Sequence, residues 1–394
     1  MFRVACAIAV ALAIAAGTGA RAFAQPASTL TSPSVSAPAS TGPARGNILN
    51  PDISVVGWIQ YATDDLSTEE EEGEIGASPK SARAGRAAQA DESESDPPVT
   101  QVREVELGLQ SAIDPYSRAD IFIAFSPEEG VDVEEAYLTF LSLPGSVQAR
   151  LGKHRSFVSR FNRTHPPEAA FATRPLVTEL FFGEEGLFVE GGSLSRLVPN
   201  PWDLYVNIDV EFSNAPEEGA VFAPADREDL LFGGRASAFA DLSEAVNVTL
   251  GTSFYRGPAK VEEDAAARHA TLSGGDVTLR WKDPRRATYR SFLWATEMLS
   301  ASDGESARAT GLFTHAEYQF ARRWRTGARY DWTEIPAAGA AHESGVLGYI
   351  TFNPSEFSLF SAQFAAVRDE AGEWDQRLYG KVTFSMGPHG GHAF

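Results

Sequence analysis

From Val102 onward, apolar and polar residues alternate one for one in stretches of about ten, with turn residues between them. In 103–113, Val105, Leu107, Leu109 and Ile113 fall on one face, and Glu104, Glu106, Gly108 and Gln110 fall on the other. After the turn Asp114-Pro115-Tyr116-Ser117, the residues Ala119, Ile121, Ile123 and Phe125 again share a face. The same register recurs in 203–212, where Leu204, Val206, Ile208, Val210 and Phe212 oppose Asp203, Tyr205, Asn207, Asp209 and Glu211. It recurs once more in 376–386, where Leu378, Val382, Phe384 and Met386 oppose Arg377, Lys381, Thr383 and Ser385. Successive side chains of a strand point to opposite faces, so this pattern is that of strands with one apolar and one polar side. The chain is therefore all-β.

The connections narrow the choice of all-β architecture. Short ones (at Asp114, Pro144, Pro199, Asp241, Asp283, Ala321 and Asn353) alternate with others that are mostly longer: 63–101, 155–186, 214–229, 257–272, 301–307, 334–343 and 369–374. Of the second set, only 127–130 is short. Short turns at one end and long loops at the other are the layout of a transmembrane antiparallel β-barrel, not of a sandwich with crossing connections. Counting strands in this way gives about 16. Trp202, Trp281 and Trp324 lie beside short turns and Tyr116 lies in one, which places an aromatic girdle at that membrane boundary.

The segments outside the alternation fit an exported barrel. Residues 1–24 carry Arg3, an apolar core and Ala22-Phe23-Ala24, the features of a signal peptide. Cys6 lies inside it, so no cysteine is left for a disulfide or a thiolate metal site. Residues 25–50 are rich in Pro, Ser, Thr and Ala and read as a disordered lead, and the barrel occupies 51–394. Within it, 63–101 contains EEEEGE and DESESDPP and reads as an acidic mobile loop. The formal net charge of −20 excludes the basic footprint of a nucleic-acid binder. The chain closes on Phe394, the terminal aromatic by which barrels are recognised by outer-membrane assembly machinery.

The runs VDVEEAYLTFLSLPGSVQARLGKHR and RPLVTELFFGEEGL, with the ending GPHGGHAF, resemble a family of bacterial outer-membrane proteins. Its members are described as porins or as zinc-regulated TonB-dependent outer-membrane receptors. The strand containing EAYL, followed by Gly152-Lys153-His154-Arg155, is also similar to phosphate-selective porins. The resemblance covers most of 51–394 and is densest over 102–202. It implies a Gram-negative outer-membrane location, contact with lipid, small solutes as partners and assembly as a monomer or homotrimer. Family members carry His-Pro-His where this chain has His165-Pro166-Pro167, so the second histidine of a zinc pair is missing. A TonB-dependent receptor needs a 22-stranded barrel around a plug, and 394 residues do not supply both.

Chemistry concentrates in one place. The 155–186 connection is the third external loop, and it is expected to fold inward as a constriction. Arg150, Arg155, Arg160, Arg163 and Arg174 are its pore-facing candidates. Such a cluster selects anions unless acids such as Asp203, Asp209 and Glu211 neutralise it. His165, His389 and His392 are the metal-ligand candidates, and no cofactor is expected. Glu134 and Glu135 are adjacent in a strand, so they are expected to point to opposite faces. No nucleophile elbow, phosphate loop or metalloprotease motif occurs, and no enzymatic activity is expected. The expected function is passive diffusion of small, anionic solutes. The alternatives are a zinc-regulated receptor or metal-uptake accessory, and a structural barrel with a closed lumen.

Overall fold

The computed structural model describes residues 51–63, 100–127, 130–202, 204–214, 216, 219–223, 230–259, 268–304, 308–336 and 341–387. The expected signal peptide, disordered lead and most of the acidic loop lie outside the described residues, as do Asp203, His389, His392 and Phe394.

The first eight strands are β1 (Asp52–Ala62), β2 (Thr100–Asp114), β3 (Ser117–Ser126), β4 (Gly130–Leu143), β5 (Val147–Arg155), β6 (Phe188–Val198), β7 (Tyr205–Asn214) and β8 (Leu230–Asp241). The rest are β9 (Val246–Pro258), β10 (His269–Lys282), β11 (Ser291–Ser302), β12 (Ala309–Ala321), β13 (Trp324–Glu334), β14 (His342–Ser355), β15 (Ser358–Arg368) and β16 (Trp374–Met386). One short helix, α1 (Leu176–Phe182), lies between β5 and β6. Every strand pairs with its sequence neighbours, and β1 pairs with β16, so the sheet is a closed 16-stranded antiparallel barrel. Closure removes both sheet edges, as a sheet surrounded by lipid requires.

The alternation resolves into an outside and an inside. Leu194 on β6, Ile208, Val210 and Phe212 on β7, Phe254 on β9, Met298 on β11, Ile350 on β14 and Phe364 on β15 are all exposed on the outer surface. The intervening residues, among them Asp209, Glu211, Arg235, Asp276, Glu297 and Arg329, are buried within the lumen. Tyr116, Trp202 and Trp324 are exposed beside short turns, where the girdle was expected, and Trp281 is half-buried. A closed sheet with an apolar exterior and a charged interior is a membrane-spanning barrel, and the long-loop end is the extracellular one.

Where the barrel closes, Val382 of β16 pairs with Ile59 of β1. Two local expectations need correction. The turn at Asp283 is longer than the sequence implied, since β10 ends at Lys282 and β11 begins at Ser291. There the Asp283 carboxylate accepts the backbone N–H groups of Arg285 and Arg286. The second concerns Glu134 and Glu135. Phe122 pairs with Glu135 while Ile123 pairs with Val133, so Glu134 is the extra residue of a β-bulge. The bulge interrupts the pleat, and both carboxylates are buried on the inner side.

Candidate pore constriction

Between β5 and β6 the chain leaves the wall and folds into the lumen. Of residues 156–187, only Arg163 and Glu184 are exposed, which a loop lying in solvent would not show. The wall captures the loop mostly by its backbone. Glu211 of β7 accepts the N–H of Phe157 at 3.0 Å and the Ser156 hydroxyl at 2.7 Å. Glu297 of β11 accepts the Phe161 N–H at 2.7 Å, and Asp331 of β13 accepts the Leu176 N–H at 3.3 Å. Gln363 of β15 bonds both the N–H of Ala172 and the carbonyl of Ala170. On β16 the buried Lys381 ammonium donates to the carbonyls of Pro166, Ala169 and Phe171 and lies 4.5 Å from the Trp58 ring centre. Irregular backbone at membrane depth is tolerated only where its polar groups are satisfied in this way.

Two wall rows share one construction. Glu211, Gly233 and Tyr255 are ladder neighbours on β7, β8 and β9, and Glu317, Gly327 and Tyr349 are ladder neighbours on β12, β13 and β14. In each row the tyrosine ring lies across the bare glycine, and its hydroxyl donates to the glutamate beyond. A Cβ on Gly327 would come within 2.6 Å of the Tyr349 ring, and one on Gly233 would overlap the edge of the Tyr255 ring. The tyrosines thereby orient carboxylates that in turn hold the loop or its surroundings. Tyr349 also accepts the Nε2–H of His315 at 2.8 Å, and Phe171 of the loop packs edge-on against that imidazole.

Apolar packing completes the attachment. Helix α1 buries Leu176, Val177, Phe181 and Phe182, and Gly183 ends it. Its apolar face joins Val158 and Leu187 against Tyr255, Leu272, Leu299 and Phe313 of the wall. Residues 219–223 of the β7–β8 connection also pack inward, which the sequence reading missed. Val221 and Phe222 enter the same core, and the Ala220 N–H bonds the Phe181 carbonyl. The signal for it was an apolar pair inside a long loop that otherwise reads as polar.

The five expected arginines divide into two groups. Arg155 and Arg174 do not face an open lumen. Arg155 is buried, ion-paired with Glu134, and donates to the Glu185 carbonyl at 2.6 Å. Arg174 lies among Glu185, Glu104, Glu179 and Glu184, and burial lowers its pKa to about 10. Arg150, Arg160 and Arg163 remain on the lumen. The guanidinium groups of Arg150 and Arg163 lie 5.5 Å and 5.0 Å from the centre of the Phe157 ring. Among the described residues none of these three is within ion-pair distance of a carboxylate. Desolvation inside the barrel lowers the pKa of both Arg160 and Arg163, with Arg150 and Arg235 adding to the effect at Arg163. Arg280 of β10 is within electrostatic reach of Arg160. Arginine therefore follows arginine down the short-turn side of the loop.

Of the acids expected to neutralise them, Asp203 lies outside the described residues, and Asp209 and Glu211 make hydrogen bonds of their own while still acting on Arg163 through their charge. Asp209 accepts from Ser195 and Asn207, and Glu211 serves the loop backbone and Tyr255. Asp276 pairs with Arg235 at 2.6 Å.

His165 is buried at the opposite wall. Its Nδ1 lies 2.6 Å from Glu106 of β2 and 3.1 Å from Glu134 of β4. Burial disfavours the imidazolium, but Glu106 and Glu135 outweigh it and raise the pKa to about 9.

No protein-family model matches the chain. An uncharacterized protein of Aquifex aeolicus (strain VF5) is 29% identical over 328 residues, which is 73% of this chain and 69% of that protein. Among solved structures, OprB of Pseudomonas putida superposes with a TM-score of 0.56 at 9% identity, over 86% of this chain and 94% of that one. An anion-selective porin from Comamonas acidovorans gives 0.54 at 9% identity, over 85% and 100%. OmpT, an outer membrane protein of Vibrio cholerae, gives 0.52 at 9%, over 87% and 99%.

The chain has the fold of the outer-membrane porins. At these identities the likeness carries the fold and leaves the solute open. The porin fold also removes the TonB-dependent reading, because the barrel closes at 16 strands where such receptors use 22.

Proposed function

We propose that this barrel is a porin that lets small hydrophilic solutes diffuse passively across the outer membrane, with a preference for anions. The observation that carries the reading is Arg163: of the described residues that narrow the lumen, it alone presents an exposed cation, and among the described residues no carboxylate is within ion-pair distance of it. Arg150 beside it, and Arg160 leading towards Arg280, extend that positive charge along the wall. A row of arginines lets an anion exchange part of its hydration shell for successive guanidinium contacts. Low-dielectric walls focus the field of such a row, so its effect reaches beyond contact distance. Asp209, Asp276 and Glu297 stand near the same row and keep any one stop weak enough to leave.

The tightly packed loop makes the passage narrow, so small unit conductance accompanies the selectivity. Transport by this route involves no covalent chemistry on the solute. Assembly as a trimer and recognition of Phe394 by the assembly machinery belong to the same proposal. The test is single-channel recording of the refolded protein in planar bilayers, with reversal potentials under a salt gradient. Steps of conductance with an anion-favouring reversal potential support the reading, and a barrel that passes no current contradicts it.

A further inference from the structure

The cluster around His165 has a geometry that a constriction does not require. Nδ1 of His165, a carboxylate oxygen of Glu106 and one of Glu134 all lie within 4.8 Å of one another, and all three residues are buried. They come from three separate elements: the loop, β2 and the bulge of β4. Both carboxylates aim at the same nitrogen, at 2.6 Å and 3.1 Å, although one N–H has a single direction in which to donate well. A metal ion on that side of the ring serves both at once.

We propose that Glu106, Glu134 and His165 form a binding site for a divalent first-row transition-metal ion. One imidazole and two carboxylates are a donor set such ions accept, and bonds of about 2.0–2.2 Å place neighbouring ligand atoms at separations this cluster can reach. A set made only of oxygens would favour magnesium or calcium, and the imidazole shifts the preference to zinc-like ions.

The surroundings orient the ligands as a metal site needs. Arg155 holds the far oxygen of Glu134, leaving Oε2 turned to His165. On the other edge of the imidazole, Nε2 faces Glu135 at 3.9 Å, and Glu135 is itself fixed by the Arg155 backbone N–H at 2.6 Å. At that distance Glu135 makes no hydrogen bond, but its charge favours a proton on Nε2 and leaves Nδ1 to the ion. The Phe122 ring packs 5.0 Å from the imidazole and fixes its plane. A bound ion would tie the loop to β2 and β4 directly. The site stands apart from the arginine row, so it does not depend on the lumen conducting.

The experiment uses the full refolded barrel, stripped with chelator and titrated with cobalt(II) or zinc(II) alone. Bound metal is counted by elemental analysis, and cobalt absorption reads the ligand set. One ion per chain is expected, with affinity at least tenfold weaker in Glu106→Gln and lost in His165→Ala. Folding of each variant is checked by heat-modifiable mobility on gels. Glu184→Gln, an exposed acid of the same loop, and a double substitution of His389 and His392 by Ala should bind as the parent does. Two results overturn the proposal: no stoichiometric binding by the parent, or binding that persists in folded Glu106→Gln and disappears with the two tail histidines. Failure here leaves the conductance result untouched, so the two readings are judged separately.

Discussion

The phenol of Tyr255 on β9 donates to the carboxylate of Glu211 on β7, two strands away, by lying flat across Gly233 of β8. Glu211 then turns its remaining capacity to the first two residues of the inward loop. A glycine in the middle of a strand, costly by itself, is what permits this reach. Gly233→Ala should displace the Tyr255 ring and lower stability by about 1–3 kcal/mol, as overpacked sites do. Chemical unfolding followed by tryptophan fluorescence measures it. A change below a few tenths of a kcal/mol would show that the ring does not need the gap.

Lys381 should matter more for the loop than for the barrel. Its ammonium serves three loop carbonyls, and each one left without a donor costs about 1–3 kcal/mol. In Lys381→Met the barrel should still form, judged by heat-modifiable mobility, while the channel becomes noisier and its mean conductance rises. Unchanged open-channel noise would remove Lys381 from the attachment.

Arg155 and Arg163 lie eight positions apart in the chain and should fail in opposite ways. Arg155→Ala takes the guanidinium from buried Glu134, leaving it only His165, and should cost about 3 kcal/mol with little direct effect on ion preference. Arg163→Ala removes an exposed group and should change stability by no more than about 0.5 kcal/mol while weakening anion preference. Paired thermal melts and reversal potentials separate the two roles, and matching behaviour in both assays would refute the division.

Much of this was legible in the sequence. The period of two placed Ile208, Val210 and Phe212 outside and Asp209 and Glu211 inside, and turn parity pointed to about 16 strands, the number at which the barrel closes. Other features depend on partners that local pattern does not reveal. The bulge at Glu134 inverts the parity rule with one extra residue, so neighbouring glutamates share a side. The role of Lys381 rests on carbonyls more than two hundred positions away. Arg155 is the last residue of β5 and not the first of the loop, and that single step puts it against Glu134 and away from the lumen.

The arginine row should lose its influence in salt. Screening shortens the reach of a charge from about 10 Å at 0.1 M to about 3 Å at 1 M ionic strength. The anion-to-cation permeability ratio should therefore fall towards unity as the potassium chloride concentration rises across that range. A ratio independent of salt would assign selectivity to the width of the passage and not to its charge.

An anion preference set by Arg160 and Arg163 should be lost when both charges are inverted. The direct measurement is the reversal potential of Arg160→Glu/Arg163→Glu in a tenfold potassium chloride gradient, compared with the parent barrel. Anion preference is expected in the parent and a reversal of sign towards cations in the variant, at similar unit conductance. An unchanged reversal potential in a folded, conducting variant would contradict it.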